Sequence, residues 1–240
     1  LLGSSVVAPL TEEAGKAAAL MLLLLFLRYE IDSPIDGLIY GGVIGFGFAA
    51  VENVFYLFGA YSEGGVENVL TLAFLRAGIF GLNHAMYTGF MGVGVALAME
   101  VRQRWLRSIP ILAGFALAVG AHALHNGLAT MTAYAGPASF LLAVLVDWTG
   151  VLVLLGVALG AYIVERRRIV RYGEALVRTG LLPADQVDVL KSTVRRRLAR
   201  LNRLIAGDLT GWRTLRRYQR AVTEAAFAWH RVTEGGQART

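Results

Sequence analysis

Long apolar runs, separated by short polar or glycine-containing breaks, fill the first two thirds of the chain. They cover residues 10–27, 35–61, 67–99, 108–133 and 138–164. Each is long enough for a helix that crosses a bilayer, which takes about 20 apolar residues. The run from Glu67 to Met99 exceeds one crossing, so it either begins as an interfacial turn carrying Arg76 or is strongly tilted. From Glu165 the pattern becomes that of a soluble region, with breaks at Gly180 to Pro183 and at Gly207 to Gly211. Between them, Asp185 to Leu204 sets Val187, Leu190, Val194, Leu198 and Leu201 at helical spacing among arginines. That pattern suits a helix lying on lipid or one binding a partner. The end from Glu234 to Thr240 reads as disordered. The expected fold is therefore all-α: a polytopic transmembrane helical bundle of about five spans over residues 1–165, then a basic helical cytoplasmic tail over 166–240. The chain opens on Leu1 within an apolar stretch, and further spans are expected upstream of it.

Composition agrees with a membrane protein and narrows the chemistry. Charged residues make up 17% of the 240, and the mean hydropathy is +0.55. With no cysteine there is no disulfide, thiolate metal site or cysteine nucleophile. The net charge of +6 gathers after position 164, as a lipid-facing anchor would, and no nucleic-acid partner is expected. Arg102, Arg104 and Arg107, and then Arg166, Arg167, Arg168 and Arg171, put those two loops on the cytoplasmic side. Ser62 to Val66 and Tyr134 to Ala138 carry no Lys or Arg and fall on the other side. The loop with Arg28, Glu30, Asp32 and Asp36 adds little to this topology.

An ionisable side chain inside a span costs about 2.5–3.5 kcal/mol on insertion scales, so each one needs a reason. Glu12 and Glu13 follow Pro9, with Lys16 at i+4 and i+3; by themselves they also fit the chemistry of a helix start. Glu52, followed by Asn53, comes after glycines at 41, 42, 45 and 47 that let helices approach closely. His84 stands alone in its apolar run, near mid-span. His122, His125 and Asn126 share one helix, with His122 and Asn126 on one face and His125 at its margin. Each histidine group also suits plain interhelical hydrogen bonding. The topology nevertheless brings all of these to compatible depths in one outward-leaning cavity, where Asp147 can orient an imidazole.

Such a set can hydrolyse a bond in two ways. A buried glutamate takes a proton from water while histidine and asparagine hold the oxyanion, or histidines and a carboxylate bind zinc. The ligands in the second case would be His84, His122 and His125. The i,i+3 spacing of His122 and His125 differs from the i,i+4 pair of His-Glu-x-x-His helices.

Over residues 8–165 these groups resemble the PrsW family of intramembrane proteases, itself similar to the CAAX-protease and bacteriocin-processing group. Glu12-Glu13-x-x-Lys16 resembles the paired-glutamate motif, and Gly45-Phe46-Gly47-Phe48 leading to Glu52-Asn53 the second. His84 resembles the third and His122-x-x-x-Asn126 the fourth, where relatives often end in Asp. The resemblance implies an intramembrane endopeptidase that cuts a membrane-anchored protein, such as an anti-sigma factor, in a bacterial or archaeal plasma membrane. Its site would comprise Glu12, Glu13, Glu52, His84, His122 and Asn126. A proton- or ion-coupled transporter and a non-catalytic membrane signalling protein are the alternatives from other classes.

Overall fold

The computed structural model describes residues 2–27, 31, 33–180, 183 and 193–237. All its regular elements are helical among those residues. A π-helical turn, Gly3–Val7, leads into α1 (Ala8–Leu27). Next come α2 (Pro34–Ala73), a π-helical continuation Phe74–Ile79, α3 (Asn83–Glu100), a 3-10 turn Arg104–Arg107, α4 (Ser108–Ala135) and α5 (Pro137–Arg178). The tail holds α6 (Thr193–Ile205) and α7 (Leu209–Gln237). The loop with Arg28, Glu30 and Asp32, the start of the stretch expected from Asp185, and the last three residues lie outside the described ones. Two compact units divide the chain, residues 1–161 and 162–240.

By length and composition, three stretches among the described residues can cross a membrane: Pro34–Glu100, which holds both α2 and α3, Arg104–Ala135 and Pro137–Val164. The expected helical membrane bundle is thus found. α1 is apolar only after its first two turns, because Glu12, Glu13 and Lys16 occupy them.

The expected span 67–99 is not one helix. α2 runs past residue 61 to a kink at Gly64 and Gly65, where Gly65 adopts φ +67°, a conformation that glycine enters without a Cβ clash. A second helical stretch then carries Arg76, and the chain breaks at Phe80–Leu82 before α3 begins. His84 consequently sits in the first turn of α3, not mid-span. Glu234 to Gln237, expected to be disordered, continue α7 as helix.

Helix α3 is the centre of the first unit. Its Met86, Tyr87, Met91 and Val95 form the core with Leu20 of α1, Ala118 of α4 and Leu154 of α5. Close packing against α2 depends on the absence of side chains. A Cβ on Gly41 would strike the Thr88 carbonyl oxygen, and one on Gly45 the carbonyl of His84. The four-residue spacing of Gly37, Gly41 and Gly45 keeps this bare stripe on one face of α2. On the other side of α3, Gly94 and Gly114 let α4 approach in the same way. Gly47, off the stripe, has nothing within 4 Å of its would-be Cβ.

In the second unit, Asp208 closes the turn between α6 and α7. Its Oδ1 accepts from the Gly211 backbone N–H at 2.7 Å and its Oδ2 from Arg203 at 2.8 Å. The backbone N–H chiefly, and then the guanidinium, hold its carboxyl below the usual aspartate range. The resulting local stability is present above the ordinary aspartate pKa and is lost as pH falls through the lowered one.

Two outcomes follow. Gly45→Ala should destabilise the bundle by about 1–3 kcal/mol through overpacking, whereas Gly47→Ala should change it by less than about 0.5 kcal/mol; unfolding in mixed detergent micelles measures both. Asp208→Ala should raise amide exchange over residues 209–212, and Asp208→Asn, which still caps, should not.

Candidate active site

The charged side chains of α1, α2 and the segment after the kink meet the imidazoles of α3 and α4 in one cluster. Glu13, Lys16 and His122 are 1–3% exposed, while Glu12, Glu52 and His84 are partly open and form its accessible edge. The helical spacing on α1 places Lys16 Nζ 2.7 Å from Glu13 Oε1 and 3.7 Å from Glu12 Oε2. The same ammonium lies 3.0 Å from His84 Nδ1 and 4.0 Å from the centre of the Phe48 ring. From the post-kink segment Arg76 donates through Nη2 to Glu52 Oε2 at 2.8 Å and through Nε to Asn53 at 2.5 Å. Its guanidinium stacks on Tyr56 at 3.9 Å.

These contacts fix the tautomers. An ammonium can only donate and an ionised carboxylate can only accept. His84 Nε2 is 2.9 Å from Glu52 Oε2, so Nε2 carries the proton and Nδ1 is the lone pair facing Lys16. His122 Nδ1 is 2.9 Å from Glu13 Oε1, so Nδ1 carries the proton there. Its Nε2 lone pair then faces Glu12 Oε2 at 3.8 Å. The Tyr87 ring stacks on His122, with centroids 4.7 Å apart and planes at 14°, and locks the imidazole from one side.

With Glu13 paired to Lys16 and Glu52 to Arg76, Glu12 is the carboxylate left over. Its Oε2 is buried with no hydrogen-bond partner among the described residues. An anionic oxygen that faces an imidazole lone pair and lacks a donor is unfavourable unless a cation, a proton or water lies between them. Glu12, His84 and His122 each offer a ligand atom within 4.8 Å of the others, the sole such group of three among the described residues. Both imidazoles are held through one ring nitrogen by a carboxylate, the usual support of a metal-binding histidine. The donor set therefore fits a zinc-like ion.

The remaining residues expected at the site lie elsewhere. His125 turns away from the triad: its Nδ1 is 2.7 Å from Asp147 Oδ2, which also accepts from Asn83 Nδ2 at 2.9 Å. Asp147 is 1% exposed and does orient an imidazole, that of His125. Asn126 donates to the Ser4 carbonyl at 2.9 Å. The sequence reading passed over Arg76, Lys16, Phe48 and Tyr87 as members of the site. Arg76 is detectable as the sole Lys or Arg between positions 34 and 101.

A helical membrane protein with a carboxylate–imidazole cluster of this kind has the architecture of an intramembrane hydrolase. The model of the PrsW family intramembrane metalloprotease family matches residues 1–157, and the chain belongs to that family. It is 28% identical over 87 residues to "Protease PrsW" of Bacillus subtilis (strain 168), covering 36% of this chain and 38% of the relative. It is 32% identical over 101 residues to the protein of the same name from Geobacillus kaustophilus (strain HTA426), covering 38% and 41%. The chain thus spans about two fifths of the length of these relatives. No solved structure matches it.

Removing the Asp147 carboxylate leaves without their acceptor a buried donor, that of Asn83, and a half-buried one, that of His125. Asp147→Ala should therefore destabilise the bundle by about 1–3 kcal/mol for each donor left unpaired, and Asp147→Asn by less, as read by denaturation in detergent.

Proposed function

We propose that this chain is the catalytic part of an intramembrane endopeptidase that cuts a membrane-anchored protein, with an anti-sigma factor as the first substrate to test. The observation that carries the reading is the buried Glu12 Oε2, which has no hydrogen-bond partner among the described residues and faces the lone pair of His122. Hydrolysis forms a C–O bond from water and breaks the C–N bond, so water's proton must be taken up and delivered to the leaving amine. Glu12 is the carboxylate free to do this, because Glu13 and Glu52 are each engaged by a cation and an imidazole. Glu13 orients His122, and Glu52 orients His84.

Glu12, His84 and His122 would hold a metal ion, which when bound would supply Lewis acidity toward water and the scissile carbonyl. A carboxylate has two oxygens, so ligation through one leaves the other to take the proton. Asn126 shares the His122 side of α4, one turn on; it serves the oxyanion when it exchanges the Ser4 carbonyl for substrate. The partly open edge at Glu12, His84 and Glu52 is the route for water. Arginines at 102, 104 and 107 and after 165 support a cytoplasmic C-terminus, with the basic tail beside the lipid heads.

The test is cleavage of single-span membrane reporters, an anti-sigma factor among them, by the chain in liposomes. Glu12→Gln, His84→Ala and His122→Ala should each lower the rate by about 100-fold or more, while His125→Ala should retain most of it. A zinc chelator should abolish cleavage if the ion takes part. Undiminished cutting by Glu12→Gln and His122→Ala overturns the site.

A further inference from the structure

Lys16 contributes more than charge neutralisation for Glu13. Its three donors have three directions: Glu13 Oε1 at 2.7 Å, His84 Nδ1 at 3.0 Å, and the space toward Glu12 Oε2 at 3.7 Å. Two of these targets are atoms of the residue triad that would hold an ion. Because Glu52 takes the Nε2 proton of His84, Nδ1 is the lone pair that His84 has to offer, and the Lys16 ammonium already covers it. An ammonium and a divalent cation cannot share that lone pair, and two like charges so close in a dry interior repel strongly.

We propose that Lys16 is a built-in competitor for the cation site: its ammonium is the alternative occupant of the His84 side of the triad. A divalent ion would bind only as Lys16 gives up His84 Nδ1. This rests on the reading of Glu12, His84 and His122 as an ion-holding set. It accounts for a fully buried lysine pressed against an imidazole, where Glu13 alone would have been sufficient partner. Without an ion, the ammonium holds α1 to α3 and keeps the imidazole oriented. Once an ion has displaced it, Lys16 still has Glu13 as its acceptor. Lys16 is thus a positioning residue that sets how tightly the site holds its ion.

The experiment titrates Co²⁺, followed by visible absorption, and Zn²⁺ by competition, into the full chain in detergent micelles. It compares wild type with Lys16→Met, Lys16→Gln, Lys16→Arg and His122→Ala, and records melting temperatures with and without Zn²⁺. Lys16→Met and Lys16→Gln should bind Co²⁺ at least about tenfold more tightly than wild type, and Lys16→Arg about as wild type does. The metal-free melting temperature should fall in Lys16→Met while the rise on adding Zn²⁺ grows, a pairing that a merely structural lysine would not give. The glutamine variant retains a donor toward Glu13 and serves if the methionine variant does not fold. Unchanged or weaker binding in both neutral variants, with wild-type binding that His122→Ala removes, overturns the competition and leaves the ion site standing. If neither wild type nor the neutral variants bind Co²⁺ or Zn²⁺, the ion-holding reading falls and the competition with it.

Discussion

The cluster depends on one constraint: a charge enclosed among apolar helices has to find its complement there. Three carboxylates, two cations and two imidazoles meet in the first unit, and the pairing is unequal. Glu13 with Lys16 and Glu52 with Arg76 satisfy each other at hydrogen-bonding distance. The carboxylate that remains, Glu12, has a buried oxygen with no hydrogen-bond partner among the described residues, and it faces the imidazole whose other nitrogen is already fixed. A cluster balanced pair for pair would hold the bundle together and have nothing left to offer water. On the proposed reading, the single surplus carboxylate is what would separate a reactive ion network from a structural one.

The backbone is arranged to deliver those partners. Glycines at 41 and 45 let the α3 backbone lie directly against α2, and Gly45 meets the carbonyl of His84 itself. The helix contact and the depth of the histidine are therefore set by the same residue. Seven residues further, two turns along the same face, α2 presents Glu52 to that histidine. The kink at Gly64 and Gly65 then turns the chain back so that Arg76 reaches Glu52 and Asn53. Without the kink, a continuous helix would carry Arg76 about 36 Å along the axis from Glu52, far beyond the reach of a side chain.

Much of this was legible before any coordinates. The helical membrane class followed from the apolar runs, and the candidate residues stood out because charge is rare within them. What the sequence could not supply was geometry that depends on a break. The run 67–99 is apolar on average, and hydropathy does not register that the helix kinks just before it at Gly64 and Gly65 and breaks within it at residues 80–82. As a result the sequence puts His84 near mid-span, and Arg76 either in an interfacial turn or on a strongly tilted helix. Periodicity came closer on α4, where His125 lies three residues from His122 and so about 60° around the helix. That margin was visible, but its consequence was not, since it required knowing that α5 brings Asp147 to the same side. Asn126 shares the right face, yet four residues of rise carry it about 6 Å along the axis, to Ser4. A shared face gives direction and says nothing of depth.

The way the imidazoles are held bears on how such a site can work inside a bilayer. In water a catalytic group is oriented at the expense of solvent reorganisation during the reaction, whereas here the dipoles and charges are set by folding. Glu52 and Glu13 each hold one ring nitrogen, and Tyr87 confines the His122 plane. The unprotonated nitrogen of His84 then faces Lys16, and that of His122 faces Glu12. A mutation that left every one of Glu12, His84 and His122 in place but exchanged either orienting carboxylate would release the tautomer. The lone pair could then move to the nitrogen that faces away from the triad. In that sense the orienting carboxylates matter to the proposed chemistry as much as the triad does.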